Sequence, residues 1–418
     1  MNVYTERLAA FRAEMKAAGV AAAIVPQADP HLGEYLASHW QVRRWLSGFS
    51  GSAGDLVVTA DKAALWTDSR YFLQAAQQLE GTGIELMKDG LAETPTIAQW
   101  LVSQLHKHDI VGLDGMLFTN PQLKKLNDVL FRHDIGLKTD FDVIDRLWKD
   151  RPALPDGKIF VHDEKYAGES ARSKIAKVMA EAHEAGAEAV LVTALDEIAW
   201  LLNIRCNDVK HTPVATSYLY LRDGEGILFI DPAKLTDQTV AYLASQGVTT
   251  RGYDEIKAFL AAGNDSEIVL VDPNTISVGL FDIVRNRFMP TAQTTASRLK
   301  SVKNATQIAG VHKAMVRDGA ALVRAFMELE DRLEKGVETT ELDVADLLHK
   351  YRSRGENYFD ESFGTIAGYG PHGAIVHYEA DEKSKSSLRR EGLLLVDSGA
   401  QYLDGCLLYT SPSPRDRT

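Results

Sequence analysis

GLLLVDSGAQYLDG, residues 392–405, carries an apolar run at 393–396 that stops at Asp397. A short apolar run closed by a turn signal, here Ser398-Gly399, reads as a buried strand. A carboxylate held at the mouth of such a strand is a rigid anionic oxygen donor, suited to a ligand or a cation. An aspartate that merely opens a turn needs no such role, so position alone leaves both readings open. Asp404-Gly405 is a second turn signal, and Asp404 carries less weight.

Immediately upstream lies FGTIAGYGPHGAIVHY, residues 363–378. His377 could donate a proton or a hydrogen bond to a substrate at neutral pH. A satisfied core histidine is the competing reading. His372, between Pro371 and Gly373, is expected to face solvent from a loop. Gly368, Gly370 and Gly373 allow close backbone approach to a substrate, or simply tight turns. They match neither a phosphate-binding loop nor a dinucleotide fingerprint. Further back, Ile308, Val311, Met315, Leu322, Val323, Phe326, Leu329 and Leu333 mark one face of a long helix that stops at Gly336. Thr340 is the expected N-cap of a second helix bearing Leu342, Leu347 and Leu348. Two helices followed by strands make residues 301–405 an α+β region.

The first 300 residues alternate instead. Tyr4, Leu8, Phe11 and Met15 recur at helical spacing. Residues 21–25, 56–58, 63–66 and 110–113 read as strands, and 70–79 as a helix. The run KDRPALPDGK, 149–158, marks a boundary. The pattern then restarts, with a helix around Ile175, Val178 and Met179, a strand at 189–192, and a helix at 195–202. A hairpin follows around residues 222–226, then a strand at 268–271. Residues 1–150 and 157–300 are therefore expected to be two α/β units, without a clear sequence repeat between them.

The chain has 418 residues, 45% hydrophobic and 25% charged, the balance of an ordinary globular protein with room for a large core. A net charge of −12 argues against binding a phosphate backbone, so no nucleic-acid partner is expected. Two cysteines, Cys206 and Cys406, cannot build a disulfide framework and fit a reducing compartment. No apolar run approaches a membrane span, and residues 1–19 lack the plan of a signal peptide. A cytoplasmic protein that contacts no membrane is the expectation.

Two further clusters stand out. WTDSRYFLQA, 66–75, pairs Asp68 with Arg70 among aromatics, most simply as a structural ion pair or interface. NIRCNDV, 203–209, ends a helix with Arg205 and Asp208, as a cleft wall or as capping. The sequence holds no HExxH zinc helix, no CxxC pair and no GxSxG elbow.

Taken jointly, FSGSAGDLVVT (49–59), LWTDSRYFLQA (65–75), DEIAWLLNIRCNDV (196–209), SVKNATQIAG (301–310), GPHGAIVHY (370–378) and LLLVDSGAQYLDG (393–405) resemble the cytosolic Xaa-Pro aminopeptidases. These are a branch of the creatinase, prolidase and methionine aminopeptidase superfamily. The resemblance spans nearly the whole chain to Gly405. It implies two creatinase-type N-terminal α/β domains followed by a pita-bread catalytic domain, incomplete here. It implies two divalent metal ions, with Mn2+ the expected metal, held by two Asp, one His and two Glu. Asp397 matches the first of these ligands. His377 matches the substrate-side histidine and not a metal ligand. The implied substrates are peptides with proline at the second position, hydrolysed at the bond before that proline. A homodimer is compatible with the resemblance. Cys206 departs from the family's usual glycine. A prolidase- or creatinase-type hydrolase, or a non-catalytic peptide- or protein-binding relative, would share the fold.

From Cys406 the chain reads CLLYTSPSPRDRT. The run 406–416 matches the in-frame translation of a transposase adapter used in sequencing libraries, and a natural Ser/Pro-rich terminus is the alternative. On the adapter reading, 406–418 is foreign to the protein. The family's second aspartate would fall at position 408, here Leu408, and the remaining ligands would lie beyond.

Overall fold

In the computed structural model, residues 2–223 and 225–406 are described. The helical spacing at the N-terminus forms the helix Val3–Ala17, capped by the Asn2 side chain, with Leu8, Phe11 and Met15 buried. It packs on the first of two six-stranded sheets.

That sheet comprises β1 (Ala22–Val25), β2 (Asp55–Thr59), β3 (Ala63–Thr67), β4 (Glu85–Lys88), β5 (Ile110–Gly112) and β6 (Gly136–Lys138), in the order β4-β3-β2-β1-β5-β6. The β1–β2 and β2–β3 pairs are antiparallel. The other three pairs are parallel. β1 and β3 are buried along their whole length, because apolar side chains cover both faces of the sheet. Leu8, Phe11 and Val58 belong to one cluster, and Ile24, Val57 and Trp66 to the other.

β7 (Phe160–Val161) and β9 (Ile204–Arg205) are two-residue strands. The second large sheet contains β8 (Ala189–Val192), β10 (Ser217–Arg222), β11 (Glu225–Ile230), β12 (Val248–Arg251), β13 (Val269–Val271) and β14 (Phe288–Pro290). Its order is β12-β11-β10-β8-β13-β14, again with two antiparallel pairs and three parallel ones. Strand for strand, both sheets have one topology. The repeat that no stretch of sequence displays is written in strand order and direction. Helices Ala171–Ala185 and Leu195–Leu202 cover one side of the second sheet.

These two sheets lie in one compact unit, Met1–Phe160 with Ala171–Val209 and Pro213–Lys300. The second unit takes Val161–Ser170, Lys210–Thr212 and the chain from Ser301. There, a helix at Ala305–Glu334 starts in a capping box between Asn304 and Gln307. Its buried residues are Gly310, Ala314, Asp318, Ala321, Ala325 and Leu329. This corrects the expected face: Ile308, Met315, Val323 and Phe326 are exposed. The reason is close packing. At Gly310 a Cβ would stand 2.1 Å from the Asp404 carbonyl oxygen, so small residues form the contact side.

The helix Glu341–Arg352 follows, with Thr340 as its N-cap in a capping box with Asp343. Leu347 and Leu348 join Ala325, Leu329, Val344, Ala367 and Leu388 in the core of this unit. Its strands are β15 (Tyr358–Glu361), β16 (Ile366–Tyr369), β17 (Leu394–Asp397), β18 (Ala400–Tyr402) and β19 (Gly405–Cys406). β15, β18 and β19 form one small sheet, and β16 and β17 pair antiparallel. The segment 161–170 is tied in by His162 Nε2 at 2.6 Å from the Leu403 carbonyl and by Tyr166 OH donating to Asn357 Oδ1 at 2.9 Å.

Candidate functional site

Asp397 ends β17 opposite Ile366 of β16, and its carboxylate is exposed. Among the described residues none hydrogen-bonds or ion-pairs with it. β17 is not the buried strand that its composition predicts. Leu393 is 83% exposed and Leu395 44%, while only Leu394 and Val396 pack on the core. β17 pairs with β16 alone among the described strands, so its other edge has no strand partner among them.

The turn after Asp397 is braced from below. The Ser362 amide donates to the Gly399 carbonyl at 2.9 Å. Arg352, 1% exposed, sends its guanidinium to both carboxylate oxygens of Asp318, at 2.8 and 3.1 Å, and to Glu361 at 2.7 Å. Tyr402 OH also donates to Asp318, and Tyr358 OH to Glu361. A buried charge this fully paired is held rigidly, and losing one partner would be costly.

His377 lies in the turn that follows the 3₁₀ segment Gly370–Ala374 and is half-buried. That segment doubles back over β16. At Gly368 a Cβ would come within 2.9 Å of the Gly373 nitrogen and the His372 carbonyl group, so glycine is needed for the chain's own close approach. His372 is not the solvent-facing loop residue expected from its neighbours. Its Nδ1 lies 2.9 and 3.1 Å from the two oxygens of Glu341, and its ring stacks on Tyr378 at 4.4 Å. Glu341, fully buried, also accepts from the amides of Tyr369 (2.7 Å) and Ser386 (2.8 Å) and from Tyr378 OH (2.8 Å). Burial works against its charge, but these donors outweigh burial and hold its carboxyl below the ordinary glutamate range. Sequence reasoning missed Glu341. It follows the N-cap Thr340, where an acidic residue is explained by helix polarity alone.

The other clusters make contacts of their own. Asp68 and Arg70 form a two-point ion pair, at 2.9 and 2.7 Å. Arg205 donates to the Ala199 carbonyl and so caps the preceding helix. Asp208 accepts from the Thr216 amide and from buried Lys234. Cys206 is buried with an ordinary φ, so a side chain is tolerated there without backbone strain. Burial, then the neighbouring Asp208, pushes its thiol up to about 12. Among the described residues no three His, Cys, Asp or Glu side chains form a group able to hold a metal ion. Asp397 fits as one oxygen ligand, and one carboxylate does not fix two cations. Leu408 lies outside the described residues.

Residues 7–144 and again 150–307 match the creatinase/prolidase N-terminal domain, and residues 309–411 match metallopeptidase family M24. Aminopeptidase P2 of Arabidopsis thaliana is 35% identical over 96% of this chain and 62% of its own. A probable Xaa-Pro aminopeptidase P of Coprinopsis cinerea is 38% identical, covering 96% of this chain and 67% of its own. The solved X-prolyl aminopeptidase of Caenorhabditis elegans, described as a cytosolic enzyme with a di-nuclear active site, superposes with a TM-score of 0.90. It is 31% identical, over 99% of this chain and 70% of that one.

The chain belongs to the Xaa-Pro aminopeptidase family. Its fold is accordingly two creatinase-type N-terminal domains joined to an M24 pita-bread domain. The chain spans 62% of the length of that Arabidopsis relative and 63% of a probable Xaa-Pro aminopeptidase P of Laccaria bicolor. No helix among the described residues is long and apolar enough to cross a membrane.

Proposed function

We propose that this chain is part of a dinuclear-metal aminopeptidase that hydrolyses the N-terminal Xaa-Pro bond. Asp397 is its first metal ligand and His377 its substrate-side histidine. The observation that carries the reading is Asp397: an exposed carboxylate at a strand end, without a partner among the described residues, in a chain of this family. Residues 1–150, 157–300 and 301–405 are its three domains. Residues 406–418 translate adapter sequence, and the parent frame supplies the missing ligands after Gly405.

Two divalent cations, with Mn2+ the expected identity, supply Lewis acidity to water and to the scissile carbonyl when bound. The chain's own residues do the rest. Asp397 contributes negative charge and a fixed oxygen. His377 hydrogen-bonds the carbonyl oxygen as charge develops on it. Proline lacks an amide N–H and has a fixed φ, so the recognition site must fit a ring and not a donor. The cytoplasm is the proposed compartment, and a homodimer the proposed assembly.

The test is to sequence the source gene past the codon for Gly405, express the whole frame and compare it with His377→Ala. The frame is expected to add an Asp, a His and two Glu. His377→Ala is expected to lower kcat on an Xaa-Pro peptide by about 100-fold or more, with metal content unchanged. A frame without those partners sinks the peptidase reading. Unchanged turnover sinks the role of His377.

A further inference from the structure

The geometry points to Glu341 as the positioning residue for His377, an inference that rests on the function proposed above. Its carboxylate is fully buried at the first position of a helix already fixed by the Thr340–Asp343 capping box. Four donors converge on it, and they bracket His377 in the chain. The Tyr369 amide closes β16, His372 sits in the 3₁₀ turn, Tyr378 directly follows His377, and the Ser386 amide lies on the return segment. The Glu341 amide answers by donating to the Ser386 carbonyl at 3.2 Å.

One anion therefore gathers the outgoing strand, the turn and the return segment, and His377 is carried between two of its contacts. Charge-assisted hydrogen bonds are shorter and stronger than neutral ones, and several on one buried carboxylate fix a loop better than packing of its glycines. Three of the six residues 368–373 are glycines with no side chain to pack, so the Glu341 contacts add polar anchoring to the Tyr369 packing and the His372–Tyr378 stack. Glu341 touches no reacting atom on this reading. It acts by setting where the His377 imidazole stands, to which a rate is sensitive at the scale of an ångström.

The test is a double-mutant cycle in the full-length enzyme, with Glu341→Gln, His377→Ala and the pair. Glutamine keeps the size but loses the charge and turns an acceptor into a donor. Glu341→Gln is expected to lower kcat by about 10- to 100-fold, with KM within about twofold and metal content unchanged. In the His377→Ala background it should cost almost nothing, because the two act as one unit. Additive losses, an unchanged kcat or a loss of metal would overturn the proposal. If Glu341→Gln does not fold, Tyr378→Phe withdraws one donor. A severalfold loss of kcat is then expected, again absent when His377 is alanine, and additivity overturns the proposal there too. Hydrogen exchange of the amides of Gly370 and residues 372–378 reads the Glu341 clamp without catalysis. Faster exchange in Glu341→Gln supports it, and unchanged exchange refutes it. A fully active His377→Ala enzyme with a loosened loop in Glu341→Gln would sink only the role of His377.

Discussion

Glu197 is 5% exposed, and its Oε2 accepts from Thr294 Oγ1 at 2.7 Å. Burial raises its carboxyl to about 7, and the Thr294 hydrogen bond offsets only part of that. The folded chain thus holds a proton that the unfolded chain releases near the ordinary glutamate value. The sign follows: this site's stability is fully present below that value, falls as pH rises, and is gone above about 7. The loss amounts to up to about 3 kcal/mol. Glu197→Gln is expected to flatten this decline and to stabilise the protein at pH 8. Urea unfolding at pH 5 and pH 8 checks it, and equal destabilisation at both pH values counts against it. In the sequence, Glu197 looks like a first-turn helix acid. Only the Thr294 contact and its burial show otherwise.

Gly310 decides how the long helix of the second unit packs. Alanine would improve helix propensity by about 1 kcal/mol. Its Cβ, however, would meet the Asp404 carbonyl oxygen at 2.1 Å, and backbone cannot step aside cheaply. Gly310→Ala is therefore expected to destabilise by about 1–3 kcal/mol net, as a lowered urea midpoint. Gly319→Ala on the same helix, with open space at its Cβ, is the control and should stabilise or be neutral. Element positions were largely legible: 189–192 and 195–202 are the very bounds of β8 and of the helix after it. The buried face of the long helix was not. Hydrophobic spacing selected Ile308, Met315 and Val323, whereas contact selected Gly310, Ala314 and Ala321. Small residues carry little hydropathy signal, yet they permit the closest approach.

Within the first unit, His31 joins the two halves. Its Nδ1 lies 3.0 Å from the Thr193 carbonyl, so it donates there, and its Nε2 accepts from Tyr253 OH at 2.9 Å. Its ring also lies 4.4 Å from that of Tyr218. His31→Ala leaves both partners buried without their hydrogen bond and is expected to cost about 1–3 kcal/mol. Burial lowers the imidazole pKa, so the folded state prefers the neutral ring. This contribution is present above the ordinary histidine value and is lost as pH falls through the lowered one. The alanine variant should therefore lose less stability than the parent on acidification from pH 7 to 5. Unfolding curves at both pH values check this, and an identical acid dependence argues against His31 as the titrating group.

The sequence by itself determined the alternation of strands and helices, the capped helix starts and the motifs that carry family membership. Each is a local property, set by periodicity, turn chemistry or a short run of residues. Tertiary structure alone decided that the two halves share one strand order, that Leu393 and Leu395 stand uncovered among the described residues, and that Glu341 gathers the loop of His377. Those features depend on contacts between residues far apart in the chain. A buried carboxylate such as Glu341 takes its role from its donors, and nothing at position 341 says which residues will reach it.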